Sequence, residues 1–366
     1  MRSLRSQGYR IDKGRVFPPD APDKDALRRL HAAAVHHSID LAKGGLDSIE
    51  DALLSRIANG SEVDPSAIVP QVIEVHPKSN DELLFRYAGL HWSVPVSAGY
   101  GRRLRFLVID QSNQKLVGIF GLADPVYNLG PRDTWIGWSP QQKRDRLRHV
   151  MDAYVLGAVP PYSMLLCGKL VALIATSQEV RHAFYRKYNG ERSRIRRKEP
   201  DARLAMITTS SALGRSSLYN RLRFDGRAVF QSIGLSRGTG DFHFSNGQYE
   251  HLLRYANRYC IPTERKSRWG KGFRNRREVV WKCLAKMGLT KQWLSHGVGR
   301  ELFVAPLASN VRSFLCGDST RLNWYNQGME DLYQFFRERW LIPRSNRLPD
   351  YREWDREKWR LWRPRT

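Results

Sequence analysis

Cysteine is scarce and scattered: the 366 residues hold four, Cys167, Cys260, Cys283 and Cys316, with no C-x-x-C step among them. That excludes a disulfide framework read from spacing. With the polar start MRSLRSQGYR lacking a signal-peptide pattern, the expected setting is the cytoplasm. Long apolar runs are missing too. The longest, Met164 to Ala175, is broken by Gly168 and Lys169 and is too short to span a bilayer, so no membrane role is expected. The ten histidines show no metal spacing, His36 and His37 being adjacent and His243 and His251 eight apart, and no metal site is expected. A G-x-x-x-x-G-K-[ST] phosphate loop is absent, which excludes an ATP site of that kind.

Negative charge is the other shortage. Against 61 Lys and Arg stand 36 Asp and Glu, a net +25. Residues 1–90 are near balance, with 12 basic and 13 acidic side chains, so the excess lies entirely in the later part of the chain. Ordinary soluble surfaces mix signs, and an excess of this size points to a polyanionic partner, nucleic acid and DNA in particular. Such binding draws on counterion release and weakens steeply with salt.

A hydrophobic content of 41% is enough for real cores. Residues 1–91 read as a near-neutral helical lobe, with Asp23 or Asp25 capping a helix that carries Leu27, Leu30 and Leu41, and Asn80 capping a short one. Residues 92–250 read as a mixed α/β core. Leu104 to Asp110 and Lys115 to Leu122 make a hairpin, and Thr134 to Trp138 reads as a third strand. Ser139, Pro140 and Gln142 have the spacing of a capping box, followed by a helix with Leu147, Val150, Met151, Tyr154 and Val155 on one face. A strand at Ser163 to Cys167, a helix from Lys169 to Tyr188 and a strand at Arg203 to Thr209 follow. Residues 251–366 form a basic helical and strand region, whose Trp354, Trp359 and Trp362 are expected to pack back on the body.

The expected class is therefore α+β, a mixed sheet flanked by helices. Its element order is similar to the core of the GNAT-type acetyltransferases. Those enzymes seat the cofactor pyrophosphate on a glycine-rich turn, whereas the corresponding turn here, Trp138 to Lys143, has no glycine after Trp138 and has Pro140 where a donor is needed. Acetyl-CoA is not expected as a cofactor.

Chemistry concentrates in Ile207 to Phe224, ITTSSALGRSSLYNRLRF, which holds two threonines, four serines, a tyrosine and three arginines. A strand end that bends at Gly214 into a helix start is a natural anion seat, and Arg215, Arg221 and Arg223 can grip phosphate with paired hydrogen bonds. The competing reading has the serines satisfying turn backbone groups. Ser210, Ser216 and Tyr219 are candidate nucleophiles without a histidine nearby in sequence. Asp133 is a candidate metal or acid–base carboxylate for phosphodiester chemistry, or else the local partner of Arg132. Two basic runs add further nucleic-acid contacts: Arg192, Arg194, Arg196, Arg197 and Lys198, then Lys266, Arg268, Trp269, Lys271 and Arg274, where aromatics between cations suit unstacked bases. Arg237, in the glycine-rich QSIGLSRGTGDFHF, joins them, though its glycines equally fit a bulged strand.

Together with RDTWIGWS (Arg132 to Ser139) and the following AYVLGAVPPYSMLL, the hydroxyl-rich block resembles the DruA component of the Druantia anti-phage defence systems, over roughly Leu116 to Trp340. The resemblance implies a bacterial defence role beside a very large helicase-type protein. It identifies a family more sharply than a reaction. The expected function is nucleic-acid binding through a basic groove in concert with that helicase. The alternatives are a nucleic-acid-cleaving or -modifying enzyme with Asp133 and the Ser210 to Arg221 segment at its site, and a divergent acyltransferase.

Overall fold

The computed structural model describes residues 2–18, 23–97, 101–190, 202–214, 216–263 and 272–362. Its strands are β1 (Arg10–Asp12), β2 (Arg15–Phe17), β3 (Pro70–Glu74), β4 (Arg103–Asp110), β5 (Lys115–Ala123), β6 (Val150–Ala158), β7 (Met206–Ser210), β8 (Arg223–Phe224), β9 (Arg227–Ala228), β10 (Gln231–Leu235) and β11 (Glu301–Pro306). Among the described residues seven of these form one mixed sheet in the order β10-β11-β7-β6-β5-β4-β3, while β1 with β2 and β8 with β9 make separate two-stranded ribbons. Every neighbouring pair in the sheet is antiparallel except β6 and β7, which run parallel with Asp152 opposite Thr208 and Ala153 opposite Thr209. The protein is thus α+β. The sheet draws β3 and β11 from outside residues 92–250, because strand neighbours are set in space rather than in sequence.

The helices are α1 (Arg2–Ser6), α2 (Lys24–Leu46), α3 (Glu50–Leu54), α4 (Asn80–Gly89), α5 (Gly130–Ile136), α6 (Pro140–Arg146), α7 (Cys167–Ile174), α8 (Gln178–Tyr188), α9 (Ser217–Asn220), α10 (Gln248–Tyr259), α11 (Arg276–Lys286), α12 (Val311–Cys316), α13 (Met329–Phe336) and α14 (Ile342–Arg347). Strand alternation divides them between two faces. Phe106 and Val108 of β4 join Phe120, Ile207 and Phe303 under α7, α8 and α13, in one cluster with Leu170, Phe184, Leu332 and Phe336. Leu107 and Ile109 point the other way, against Leu46, Leu54, Leu84 and Phe85 of α2, α3 and α4. At the far end of that second face α5 and α12 cover Val150, Met206 and Val304. A satellite core of Tyr9, Leu30, Phe244, Val280 and Trp293 unites the β1–β2 ribbon with α2 and α11.

Several local expectations change. Thr134 to Trp138 lies largely in α5, with proline in its first turn and Gly137 at its C-cap in the left-handed region (φ 83), a start and stop that override the aromatic, β-branched composition. Leu147 to Val155 is a single 3₁₀ turn followed by β6, a strand buried on both faces whose continuous apolar run mimics a helix stripe. Ser163 to Cys167 is a turn leading into α7, and Lys169 to Tyr188 is split at Ser177 into α7 and α8. Within the segment read as helical, Pro70–Glu74 is the edge strand β3, and α4 is capped by Ser79 rather than Asn80. The capping box is present, with Ser139 and Gln142 exchanging side-chain to backbone hydrogen bonds at the start of α6.

Residues 351–362 fold back over the first helices. Glu50, 3% exposed, accepts hydrogen bonds from Tyr87 Oη (2.9 Å), Leu361 N (2.6 Å) and Trp362 N (3.3 Å). Trp359 stacks on His91 at 3.9 Å, while Arg356 reaches Glu62 at 2.9 Å. Trp359 and Trp362 are buried in the same cluster as Leu46 and Phe85, with Trp354 packed against it. Among the described residues no helix is long and apolar enough to cross a membrane.

Candidate nucleic-acid interface

β7 carries the first hydroxyls of the Ile207 to Phe224 block into the sheet, not out of it. Thr208 and Thr209 are buried. Thr208 Oγ1 donates to Asp152 Oδ1 at 2.7 Å and Thr209 Oγ1 to the Ala153 carbonyl at 2.9 Å, so both close the parallel seam between β6 and β7. Ser211 is buried as well, its N–H donating to the Glu301 carbonyl at 2.8 Å. Tyr219 packs between Phe230 and Phe303, with ring centroids 4.8 and 5.0 Å away. Burial pushes its hydroxyl up to about 12 against the lowering effect of Thr209, the direction opposite to the one a nucleophile needs. Ser210 and Ser216 keep access to solvent, but their hydroxyls have no hydrogen-bonded base among the described residues. Ser216 makes no side-chain cap on the four-residue α9.

The cations of the block do meet others. Arg221 and Arg223 are exposed, and Arg223 Nη1 donates to the Gly226 carbonyl at 3.0 Å. α9 packs on α7, as α13 does. That brings Arg221 toward Lys169 of α7, and Lys169 is also near Arg339, in the π-helical turn Arg337–Leu341 after α13. Lys169 Nζ lies 5.0 Å from the Trp340 ring centroid and the Arg339 guanidinium 5.6 Å from the same ring. Burial first, then repulsion from Arg221 and Arg339, holds the Lys169 ammonium below the usual lysine range. No carboxylate among the described residues pairs with any of the three. Beside them Phe224, Phe335 and Trp340 form an edge-to-face series at 5.1 and 5.3 Å. Cations that repel one another beside partly exposed aromatics have the chemistry to attract anionic groups and to stack planar ones.

Lys169 and Arg339 were missed in sequence because neither lies in a charge run; only α7 packing on both α9 and α13 unites them. Arg237 is exposed on the loop leaving β10, and Arg274 is exposed just before α11, on the satellite lobe. Arg192, Arg194, Arg196, Arg197, Lys198, Arg215, Lys266, Arg268, Trp269 and Lys271 lie outside the described residues.

Asp133 is no open metal ligand. Its Oδ1 receives Arg132 Nη2 (2.7 Å), Arg132 Nε (3.0 Å) and Trp138 Nε1 (3.2 Å), while Oδ2 receives Lys143 Nζ (3.1 Å) and, more weakly, Leu129 N (3.4 Å). Arg132 is fully buried and also donates to the Val126 and Tyr127 carbonyls at 2.8 and 2.9 Å. The Arg–Asp pair is therefore a structural knot that ties the loop before α5 to α6. The carboxylate with unusual surroundings is Asp152. Burial raises its pKa above the ordinary range, partly offset by the Thr208 hydrogen bond and the charge of Arg132. Its signal in sequence is one acid inside the apolar VMDAYVLGA. Among the described residues no group of three or more His, Cys, Asp or Glu is placed to hold a metal ion.

On the other face of the sheet a cavity of about 540 Å³ opens between α2 and α4, floored by Tyr154 and Trp92. The two rings lie close over Gly121 and Gly157, where a Cβ would stand 2.5 Å from Tyr154 and 3.1 Å from Trp92.

Comparison with known proteins gives one consistent result. A family model described as Druantia protein DruA matches residues 21–317. A curated protein of Escherichia coli (strain UMEA 4076-1), Druantia protein DruA, is 38% identical over 357 residues, covering 96% of this chain and 87% of its own length. No solved structure matches.

Proposed function

The chain belongs to the Druantia protein DruA family, and from that premise we propose that it is a component of Druantia anti-phage defence that holds nucleic acid, DNA in the first instance, on a basic surface and acts with a large helicase-type partner. The observation that carries the reading is Lys169 with Arg221 and Arg339 near it, Lys169 and Arg339 both beside the Trp340 ring, three cations with no acid to neutralise them among the described residues. Placing like charges together is unfavourable until a polyanion arrives, and phosphate supplies the missing charge. Fluorescence-anisotropy titration of labelled DNA across a salt series tests it: the logarithm of affinity should fall linearly with the logarithm of salt concentration. An affinity indifferent to salt would sink the reading.

A second reading is enzymatic. The strand order, with β11 between β7 and β10 and a single parallel pair at β6–β7, supports a GNAT-type acetyltransferase-like core. Because Trp138 to Lys143 precedes β6 rather than following it, the turn that joins β6 to its helix in such a core is Val159 to Leu166 here, which holds Pro160 and Pro161 and no glycine, so it offers acetyl-CoA pyrophosphate little backbone donation. In this reading Asp152, not Asp133, is the carboxylate positioned for acid–base work beside the Ser210 to Arg221 segment. Incubating labelled DNA with Mg²⁺ or Mn²⁺, and separately measuring the thermal shift with acetyl-CoA, tests both forms. Unaltered DNA and an unmoved melting temperature dismiss them.

A further inference from the structure

The cavity between α2 and α4 is kept open by two glycines inside the sheet. Gly121 of β5 lies in register with Arg105 of β4 on one side and Val155 of β6 on the other. A Cβ there would stand 2.5 Å from the Tyr154 ring, so any larger residue would lift that ring off the sheet and into the space. Gly157 does the same for Trp92, where a Cβ would stand 3.1 Å from the indole. Glycine inside a strand lowers stability relative to alanine. At these two positions it gives a floor of rings held close against the backbone, with room above them.

The walls sort by polarity along α4. Glu82 and Arg86, one turn apart near its start, line the cavity together with Arg105 and Tyr154. Gly89 and Leu90, at its end, line it together with Trp92 and Val96. At 1.5 Å per residue, Glu82 to Leu90 spans about 12 Å. The cavity therefore has a polar end and an apolar end. At the polar end Glu82 is already engaged: Oε1 receives Arg105 Nη1 at 2.6 Å and Oε2 the Lys78 N–H at 2.7 Å. Those two bonds, the backbone one first, hold its carboxyl below the ordinary range. Burial raises the Tyr154 hydroxyl against the influence of Arg105, which keeps it a donor at neutral pH. Arg86 is exposed and makes no hydrogen bond or salt bridge among the described residues, acting on Glu82 through its charge alone. Two cations thus line this end against one acid, and the donors of Arg86 are free. At the mouth Leu41, 68% exposed, offers an apolar side chain that a bound ring would cover.

A volume of about 540 Å³ suits a small molecule, and apolar walls with a few convergent polar groups are what such sites present. A single ring would leave half the length of the cavity empty, and a neutral or cationic head would leave Arg86 unmet. We propose that this cavity binds a small two-ring aromatic acid, its rings over Tyr154 and Trp92 and its anionic group at Arg86. The site lies on the opposite face of the sheet from α7 and α13, so it stands whether or not Lys169, Arg221 and Arg339 bind DNA.

The test uses two fluorescent probes that share their rings and differ in charge, anilinonaphthalene sulfonate and the neutral phenylnaphthylamine, titrated into the full chain in moderate salt. The natural protein should show one saturable site for the sulfonate and bind the neutral amine more weakly. S38W, which brings an indole into the cavity from α2, should abolish both. R86A should weaken the sulfonate roughly two- to fivefold, the scale of one solvent-facing ion pair, and leave the amine unchanged. K169A/R221A/R339A should alter neither. Equal affinity for the two probes in the natural protein means an apolar gap indifferent to charge and overturns the proposal. So does undiminished binding in S38W, loss of the sulfonate in the triple variant, or no saturable binding at all. An equal weakening of both probes in R86A removes the anionic group from the assignment and overturns it as well. Should S38W fail to fold, A42F, one turn further along the same wall, decides: binding equal to the natural protein overturns the proposal.

Discussion

Arg132 is fully buried and Arg300 half-buried, and the fold completes the two guanidinium groups to very different degrees. In the first turn of α5, Arg132 spends its donors on Asp133, Val126 and Tyr127, and Asp133 in turn engages Trp138 and Lys143. In the satellite core, Arg300 meets a neutral histidine at 3.5 Å and a ring at 5.6 Å. A buried charge is tolerated where its own fold completes it, or where a ligand does. The first arrangement makes architecture. The second leaves a guanidinium that no carboxylate among the described residues completes.

Breaking the completed pair should have the largest effect. R132M leaves the Val126 and Tyr127 carbonyls and part of Asp133 unsatisfied and should cost about 3–5 kcal/mol in a urea titration; a loss below about 1 kcal/mol would erase the contrast with Arg300. Next comes the cation group beside Trp340. K169A/R221A/R339A should leave the fold intact while flattening the salt dependence of DNA binding by roughly 3 on logarithmic axes, about one per phosphate contact, and an unchanged slope would move the interface elsewhere. An acid extends the comparison. Glu278, although burial pushes its carboxyl up, is drawn down to about 2 by hydrogen bonds from Thr263 and Arg274 and by Lys282. A depressed acid stabilises the folded state above the ordinary carboxylate range of about 4.3, and that stabilisation is lost as pH falls toward the folded value. E278Q should therefore melt below the natural protein at pH 7, with the gap closing near pH 2 to 3. A gap independent of pH would assign its role to packing. The smallest effect belongs to R300M, whose melting temperature should not fall; a drop comparable to that of R132M would mean that Arg300 is structural too.

Much of the fold was legible where local chemistry and tertiary demand agree. The β4–β5 hairpin, the Ser139 capping box and the inward packing of the C-terminal tryptophans are written in alternation, caps and amphipathic rings. β6 was not, because a strand covered on both faces loses alternation, and Val150, Met151, Tyr154 and Val155 fit a helical stripe equally well. Of the candidate site, Arg221 was legible from its block, whereas Lys169 and Arg339 join it only through the packing of α7 on α9 and α13. Thr208, Thr209, Ser211 and Tyr219 read as chemistry and turn out to be mortar between strands. Arg300 carried no signal at all in sequence, since what distinguishes it is that no acid among the described residues pairs with it in space.

The clasp of residues 351–362 over the first helices sets a timetable for synthesis. Glu50 receives the Leu361 N–H from 311 positions downstream, so on the ribosome this carboxylate and the apolar faces of α3 and α4 emerge long before their cover does. A nascent chain stalled short of Tyr351 would present that seam unsealed, a ready target for chaperones or proteases, and a bulky fusion at the C-terminal side would have to leave the clasp free to shut.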